Sequence, residues 1–132
     1  MQKSYEALFP GVRVLLVEDY TLNRELTTDI LHHMGCVVDS AVTGLDALDQ
    51  YKKKEYDLIL LDILIPHKNG LEVAQEIREM EGTKKHTLII ALTASLSVNG
   101  KEICAKAGID EYLSKPLQKD KLVAYIQQHL KK

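Results

Sequence analysis

The chain has no long apolar run, no excess of one charge and almost no cysteine. Each absence removes a class of function. The longest apolar runs, Leu58–Leu61 and Leu88–Leu92, fall far short of the roughly 20 residues a membrane helix needs, so no membrane insertion is expected. No apolar segment near Met1 resembles a signal peptide, which makes the cytoplasm the expected compartment. Lys and Arg number 17 against 19 Asp and Glu, a formal net charge of −2. A partner bound by bulk positive charge, such as nucleic acid, is therefore not expected. The two cysteines, Cys36 and Cys104, lie far apart with no CxxC. That excludes a disulfide framework and a zinc site, and both are read as reduced, buried, small apolar residues. No GxGxxG follows the first apolar run, so a dinucleotide-binding domain is excluded as well.

What remains is an ordinary soluble composition, 45% hydrophobic and 27% charged over 132 residues. A chain of this size buries roughly two-thirds of its unfolded surface and needs no staple. It shows neither internal repeats nor low-complexity segments. Residues 1–11 lack a period and end in Pro10-Gly11, which reads as a tail or linker remnant. The domain proper is placed at 12–132.

Within it, two textures alternate. Short runs rich in Val, Leu and Ile occupy Val12–Val17, Val37–Ala41, Leu58–Leu61, Leu88–Leu92 and, more weakly, Glu111–Leu113. Their near-continuous apolarity suits strands buried on both faces of a parallel sheet. Between them lie helical spacings: Leu22, Leu26 and Ile30; Val73, Ile77 and Met80; Leu122, Ile126 and Leu130. Each predicts one apolar stripe packed on a sheet. Thr43 is a candidate N-cap for Leu45–Lys54, with Asp46 three residues on. Gly35 and Gly108 stand where helices should end in a left-handed residue. Asn69-Gly70 marks a turn before Leu71–Glu81. The order is β-α five times. This predicts an α/β fold of three layers, a doubly wound (βα)5 parallel five-stranded sheet of the flavodoxin type with strand order 2-1-3-4-5.

In such folds ligands bind beyond the carboxyl ends of the strands. Those positions hold Glu18 and Asp19, then Asp62, Thr93 and Lys115. Three crowded carboxylates repel, and at neutral pH they need positive charge. Lys115 supplies one; a hard divalent cation could supply the rest. Oxygen ligands without His or Cys favour Mg²⁺ over zinc. Thr93 adds a hydroxyl donor at the rim. Carboxylate, Mg²⁺, Lys and hydroxyl together suit phosphoryl transfer, and a carboxylate can itself be the nucleophile.

The segments VLLVEDYTLNRELT, YDLILLDILIPHKNGLEVAQEIR, LIIALTAS and GIDEYLSKPL, in that order over about 12–130, resemble the receiver domain of two-component response regulators, the CheY-like superfamily. The resemblance implies that Asp62 is the phosphoacceptor, taking its phosphoryl group from a phosphohistidine. Asp19, Asp62 and the Leu64 carbonyl would hold Mg²⁺, or Mn²⁺ in its place, with Glu18 acting through a bound water. Lys115 and Thr93, with the Ala94 N–H, would bind phosphate oxygens. Thr93 and Tyr112 would form the switch, and the fourth helix, fifth strand and fifth helix would carry the output. The Lys115-Pro116 peptide would be cis. The partners implied are a histidine kinase or histidine-phosphotransfer protein and a downstream effector or output domain. The domain itself would be a monomer or weak homodimer. It would be an enzyme only in catalysing its own phosphorylation and dephosphorylation.

The stretch EDYTLNRE, with Asn23, and the ending GIDEYLSKPL resemble receivers of hybrid histidine kinases and phosphorelays. The chain stops soon after the fifth helix, at Lys132, so a single-domain regulator or an excised receiver is expected, the tail favouring excision. Two departures stand out. Tyr20 replaces the Asn usual in that subgroup, and Ile65-Pro66-His67-Lys68-Asn69-Gly70 replaces Met-Pro-x-Met-Asp-Gly, with Lys68 adding charge. Leu64 and Ser95 occupy the positions that tune phosphoryl lifetime. Leu64 cannot orient a water, so slow self-dephosphorylation is expected. His32, His33 and His67 are read as surface polarity, and Lys52, Lys53 and Lys54 as a basic helix end. The position of Tyr125, in the core or on the output face, is left open. Two rival readings exist. A haloacid-dehalogenase-type phosphatase needs a second Asp where Leu64 stands. A pseudo-receiver, signalling without phosphate, usually lacks one of the site residues, and here all are present.

Overall fold

The computed structural model describes residues 8–63, 69–83, 86–93, 100–115 and 117–130. Chain order is β1 (Arg13–Val17), α1 (Thr21–His33), β2 (Val37–Ala41), α2 (Gly44–Lys53), β3 (Leu58–Asp62), α3 (Gly70–Glu81), β4 (Leu88–Thr93), α4 (Gly100–Lys106), β5 (Glu111–Ser114) and α5 (Lys119–Leu130). The strands form one parallel sheet in the order β2-β1-β3-β4-β5. This is the doubly wound fold that the alternating texture predicts.

The sheet separates two cores. Leu15, Val17, Ile59, Leu61, Ile89 and Ala91 point to the side of α2, α3 and α4, where Ala47, Leu48, Val73, Ile77 and Cys104 meet them. Val14, Leu16, Leu58, Leu60, Ile90 and Leu92 point the other way, onto Leu31 of α1 and Leu122 and Ile126 of α5. The period-two alternation of side chains is why the three central strands read as continuous apolar runs.

Three expectations need correction. β2 is not buried on both faces: Val37 is 55% exposed and Ala41 alone in the strand is buried. It is an edge strand, and only β1 flanks it. The Leu22–Leu26–Ile30 stripe does not face the sheet either. Leu22 and Leu26 are each 54% exposed, and α1 buries Thr27 and Leu31 instead. The two stripes differ by one residue, a rotation of about 100°, so both cannot pack inward. Ile30 alone of the first stripe touches the core. Met80 is likewise exposed, while its neighbour Glu81 is buried.

Glu81 is tolerated inside because Arg78 answers it. The guanidinium donates to Glu81 Oε1 at 2.7 Å, to the Thr87 carbonyl at 2.8 Å, to the Gly108 carbonyl at 2.8 Å and to Asp110 Oδ2 at 2.8 Å. This knot ties α3 to the approach of β4 and the turn before β5. A Cβ on Gly108, whose φ is +94°, would lie 2.6 Å from Arg78 Cγ. Glycine there serves both the left-handed turn and the passing arginine.

Thr43 and Asn69 cap their helices through bonds from Asp46 N and Glu72 N, each 3.0 Å. The Asn69-Gly70 turn is thus the start of a helix. Just ahead of β1, Phe9 N donates to Met34 O at 2.7 Å and Gly11 N to Gly35 O at 3.0 Å, and Phe9 packs on the core. Cys36 and Cys104 are buried free thiols. Burial raises both, Cys36 to about 11. Tyr125 packs partly against the α1 and α5 core. His32 and His33 are exposed. Among the described residues, no helix is long and apolar enough to cross a membrane.

Candidate functional site

Every strand but β2 ends on, or runs within two residues into, a polar functional side chain at the same sheet edge. β1 runs directly into Glu18 and Asp19, β3 ends on Asp62, β4 ends on Thr93, and β5 leads into Lys115. Register makes the ends coincide: Val17 pairs with Leu61, Asp62 with Leu92, and Thr93 with Ser114. Glu18 N still bonds Ala41 O at 3.0 Å, and Lys115 N bonds Thr93 O at 2.8 Å. Glu18, Asp62, Thr93 and Lys115 are therefore mounted on backbone bonded into the sheet, while Asp19 lies one residue beyond it.

Lys115 Nζ lies 2.8 Å from Asp62 Oδ2 and 3.0 Å from Glu18 Oε1. Glu18, Asp62 and Thr93 are buried and Asp19 is exposed. One carboxylate oxygen from each of Glu18, Asp19 and Asp62 falls within 4.8 Å of the others. The sequence-predicted carboxylates and lysine thus form one cluster, open to solvent on the Asp19 side. Burial raises the Glu18 carboxyl above its ordinary value, and Asp62 raises it further, against the opposing pull of Lys115 and the Tyr20 N–H. Burial works against the Lys115 charge, but its bonds to Asp62 and Glu18 and their negative charge outweigh it and hold the lysine above its ordinary value. A single ammonium thus serves two buried carboxylates, with a third close by. This all-oxygen donor set, without His or Cys, fits a hard divalent cation such as Mg²⁺.

Tyr112 is half-buried against the core on the α2, α3 and α4 side, with Lys101 Nζ 5.6 Å from its ring centre. Leu64, Ala94 and Pro116, and with them Ile65, Pro66, His67, Lys68 and Ser95, lie outside the described residues.

Three features were not read from the sequence. Gly70 starts α3 so close to the acceptor strand that a Cβ would lie 2.7 Å from Ile63 Cα and 2.8 Å from the Asp62 carbonyl. Only glycine lets the helix seat there, and the signal was the Asn-Gly pair itself. Arg24 reaches back from α1 to the carbonyls of Glu18 and Asp19. Its spacing from the acidic pair, one helical turn in, was the available clue. The third is an apolar surface beside the site. Tyr20, Leu22 and Leu26 are more than half exposed. A cavity of about 190 Å³ is lined by Glu18 and Lys115 together with Asn23, Leu26, Ile30, Leu92 and Leu117.

Comparison with known proteins accords with this geometry. Residues 14–127 match the family model described as response regulator receiver domain. The aerobic respiration control sensor protein ArcB of Escherichia coli is 40% identical over 117 residues, covering 89% of this chain. The chain spans only 15% of that protein's length. Among solved structures, the receiver domain of sensor histidine kinase PA1611 from Pseudomonas aeruginosa has a magnesium ion coordinated in its active-site cleft. It matches with TM-score 0.83 and 32% identity, over 92% of this chain and 99% of that one. The co-crystal structure of the Saccharomyces cerevisiae histidine phosphotransfer signalling protein Ypd1 with the receiver domain of its downstream response regulator Ssk1 matches with TM-score 0.81 and 31% identity, over 92% and 90% of the two chains.

Proposed function

The chain belongs to the response regulator receiver domain family of two-component signalling, and from that premise we propose that Asp62 is its phosphoacceptor. The observation that carries this reading is the Lys115 bridge between Asp62 and Glu18, with Asp19 beside them. In the reaction, a carboxylate oxygen of Asp62 attacks the phosphorus of a partner's phosphohistidine. An O–P bond forms, the P–N bond breaks, and its electron pair returns to the imidazole. Asp19 and Asp62 with the Leu64 carbonyl, and Glu18 through a water, would hold Mg²⁺, with Mn²⁺ able to substitute, and a cation held there would supply neutralising charge to the transferring phosphoryl oxygens. Lys115 exchanges one carboxylate partner for a phosphoryl oxygen, a charge-assisted bond. The Thr93 hydroxyl and Ala94 N–H take another oxygen. The barrier falls mainly by positioning and preorganised charge. In this limited sense the domain catalyses its own phosphorylation and dephosphorylation.

The partner is a histidine kinase or a histidine-phosphotransfer protein. The exposed Leu22 and Leu26 and the cavity beside Glu18 and Lys115 offer an apolar landing next to Asp62 for an amphipathic helix carrying the phosphohistidine, the cavity having room for a side chain of that helix. Phosphorylation shifts a two-state equilibrium through Thr93 and Tyr112, toward the face made by α4, β5 and α5 and a downstream effector or output domain. The buried free thiols Cys36 and Cys104 suit a reducing, cytoplasmic setting. The likeness to parts of hybrid kinases such as ArcB favours a place in a phosphorelay.

The test is transfer from a radiolabelled, phosphorylated histidine-phosphotransfer protein. Label should pass to the wild type and not to Asp62→Ala. Leu26→Asp should slow transfer from the protein donor and leave loading by acetyl phosphate unchanged. Transfer to Asp62→Ala at the wild-type rate would sink the assignment.

A further inference from the structure

The β1–α1 junction lacks the usual means of fixing a helix start. α1 has no side-chain bond at its N-cap, Tyr20, and no acidic residue in its first turn. Yet this junction must aim Asp19, the one exposed carboxylate of the cluster. Sheet bonding ends at Glu18 N and helical bonding begins with Arg24 N to Tyr20 O at 2.9 Å. Asp19 falls between the two. The Glu18 carboxylate accepts the Tyr20 N–H across it at 3.2 Å, and the side chain of Arg24 holds the carbonyl side of the gap. Its Nη1 donates to the Glu18 carbonyl at 3.2 Å and to the Asp19 carbonyl at 3.3 Å, and its Nη2 to Thr21 Oγ1 at 3.4 Å. Each bond is long, so the grip comes from one nitrogen, Nη1, held between two carbonyls while Nη2 steadies the guanidinium plane on Thr21, and not from one strong contact.

We propose that Arg24 is a positioning residue for the cation site: by clasping the Glu18 and Asp19 carbonyls it fixes the two peptide planes that aim the acidic pair at Asp62. The inference rests on the reading of that cluster as a Mg²⁺ site. Two physical roles of the arginine have opposite signs. As a bare positive charge near the site, Arg24 opposes a cation, and its removal would tighten Mg²⁺ binding. As a clasp, it preorganises the ligands, and its removal weakens binding. Groups one shell out from metal ligands typically change affinity by about 10-fold or more when removed. We take about 10-fold weakening as the expected size.

The test is calorimetric Mg²⁺ titration of the full chain as wild type, Arg24→Met and Arg24→Lys, with thermal melts of each without the ion. Arg24→Met should bind about 10-fold more weakly. Arg24→Lys should also bind more weakly than wild type, because an ammonium keeps the charge but loses the second nitrogen's bond to Thr21 and the fixed plane that aims Nη1 at both carbonyls. Acetyl phosphate loading should need more Mg²⁺ for half-maximal rate, with the rate at saturating Mg²⁺ largely retained. Equal or tighter Mg²⁺ binding by both variants would overturn the proposal. So would a lowered melting temperature with unchanged affinity, which marks a role in stability alone. Absence of Mg²⁺ binding by wild type would instead defeat the reading of the cluster. Should Arg24→Met fail to fold, the Lys variant alone decides between charge and clasp.

Discussion

Lys115→Met puts the electrostatics of the site to a quantitative test. In the wild type one ammonium lies 2.8 Å from Asp62 and 3.0 Å from Glu18, and its side chain is 23% exposed. The two carboxylates expose only 7% and 2% of their side chains. Removing one partner of a buried ion pair typically costs 3–5 kcal/mol, and the solvent path to Lys115 places this one at the low end, about 3 kcal/mol. For a domain of this length that corresponds to a fall in Tm of about 10 °C. The pH dependence has a definite sign. Glu18 is already raised above the ordinary 4.5 by burial first and by Asp62 next, with Lys115 holding it down. A raised carboxyl contributes stability below its unfolded pKa and loses it as pH rises through the folded one. Without Lys115 the folded value climbs further, so the variant's deficit is greatest near neutral pH and narrows toward the ordinary glutamate value. Mg²⁺ should narrow it as well, since a cation at a hundred times its Kd adds about 2.7 kcal/mol to the folded state and the variant has more uncompensated charge to offer. The assay is urea unfolding followed by far-ultraviolet dichroism, at neutral and acid pH, with and without Mg²⁺. A neutral-pH deficit below about 1 kcal/mol, the range of an exposed pair, would refute the reasoning. A deficit independent of both pH and Mg²⁺ would do the same.

Other consequences follow from the packing. Gly70→Ala places a Cβ 2.7 Å from Ile63 Cα and 2.8 Å from the Asp62 carbonyl; it should destabilise by about 1–3 kcal/mol and slow acetyl phosphate loading by about 10-fold or more, since displacement of a reacting group by about 1 Å can cost a hundredfold. Arg78→Ala strands the buried Glu81 and should cost about 3 kcal/mol at neutral pH. Glu81 now sits below its ordinary value: burial opposes this, but the Thr87 N–H and Arg78 outweigh it. Its contribution is present above the unfolded pKa and lost as pH falls, so acid unfolding curves of wild type and variant should converge. Tyr112→Ala should leave loading of Asp62 intact while weakening phosphorylation-dependent partner binding; unchanged binding would remove Tyr112 from the switch.

The fold was legible in the sequence because the central strands β1, β3 and β4 are apolar on both faces and the helices between them carry clear stripes. The strand ends were legible for the same reason: once Leu58–Leu61 is a strand, Asp62 must sit at its carboxyl edge. What the pattern could not resolve was the rotation of α1. Leu22, Leu26 and Ile30 form one stripe and Thr27, Leu31 and Met34 another, and hydrophobicity favours the first. The sheet takes the second, and Thr27 is buried where a polar residue would be placed outside. The surplus stripe then becomes exposed apolar surface beside the acidic cluster. Edge exposure of β2 depends on strand order and not on its own residues. Arg78 was illegible, and Arg24 offered nothing beyond its spacing from the acidic pair, for a further reason. Long flexible cations have no period, and several of their partners are backbone carbonyls that any residue supplies.

The most direct test of the central claim is intact mass after incubation with acetyl phosphate and Mg²⁺, on wild type and on Asp62→Ala. The account predicts a single phosphoryl adduct on wild type, absent from the variant and absent when a chelator removes the cation. No adduct on folded wild-type protein, or an adduct that persists in Asp62→Ala, would contradict it.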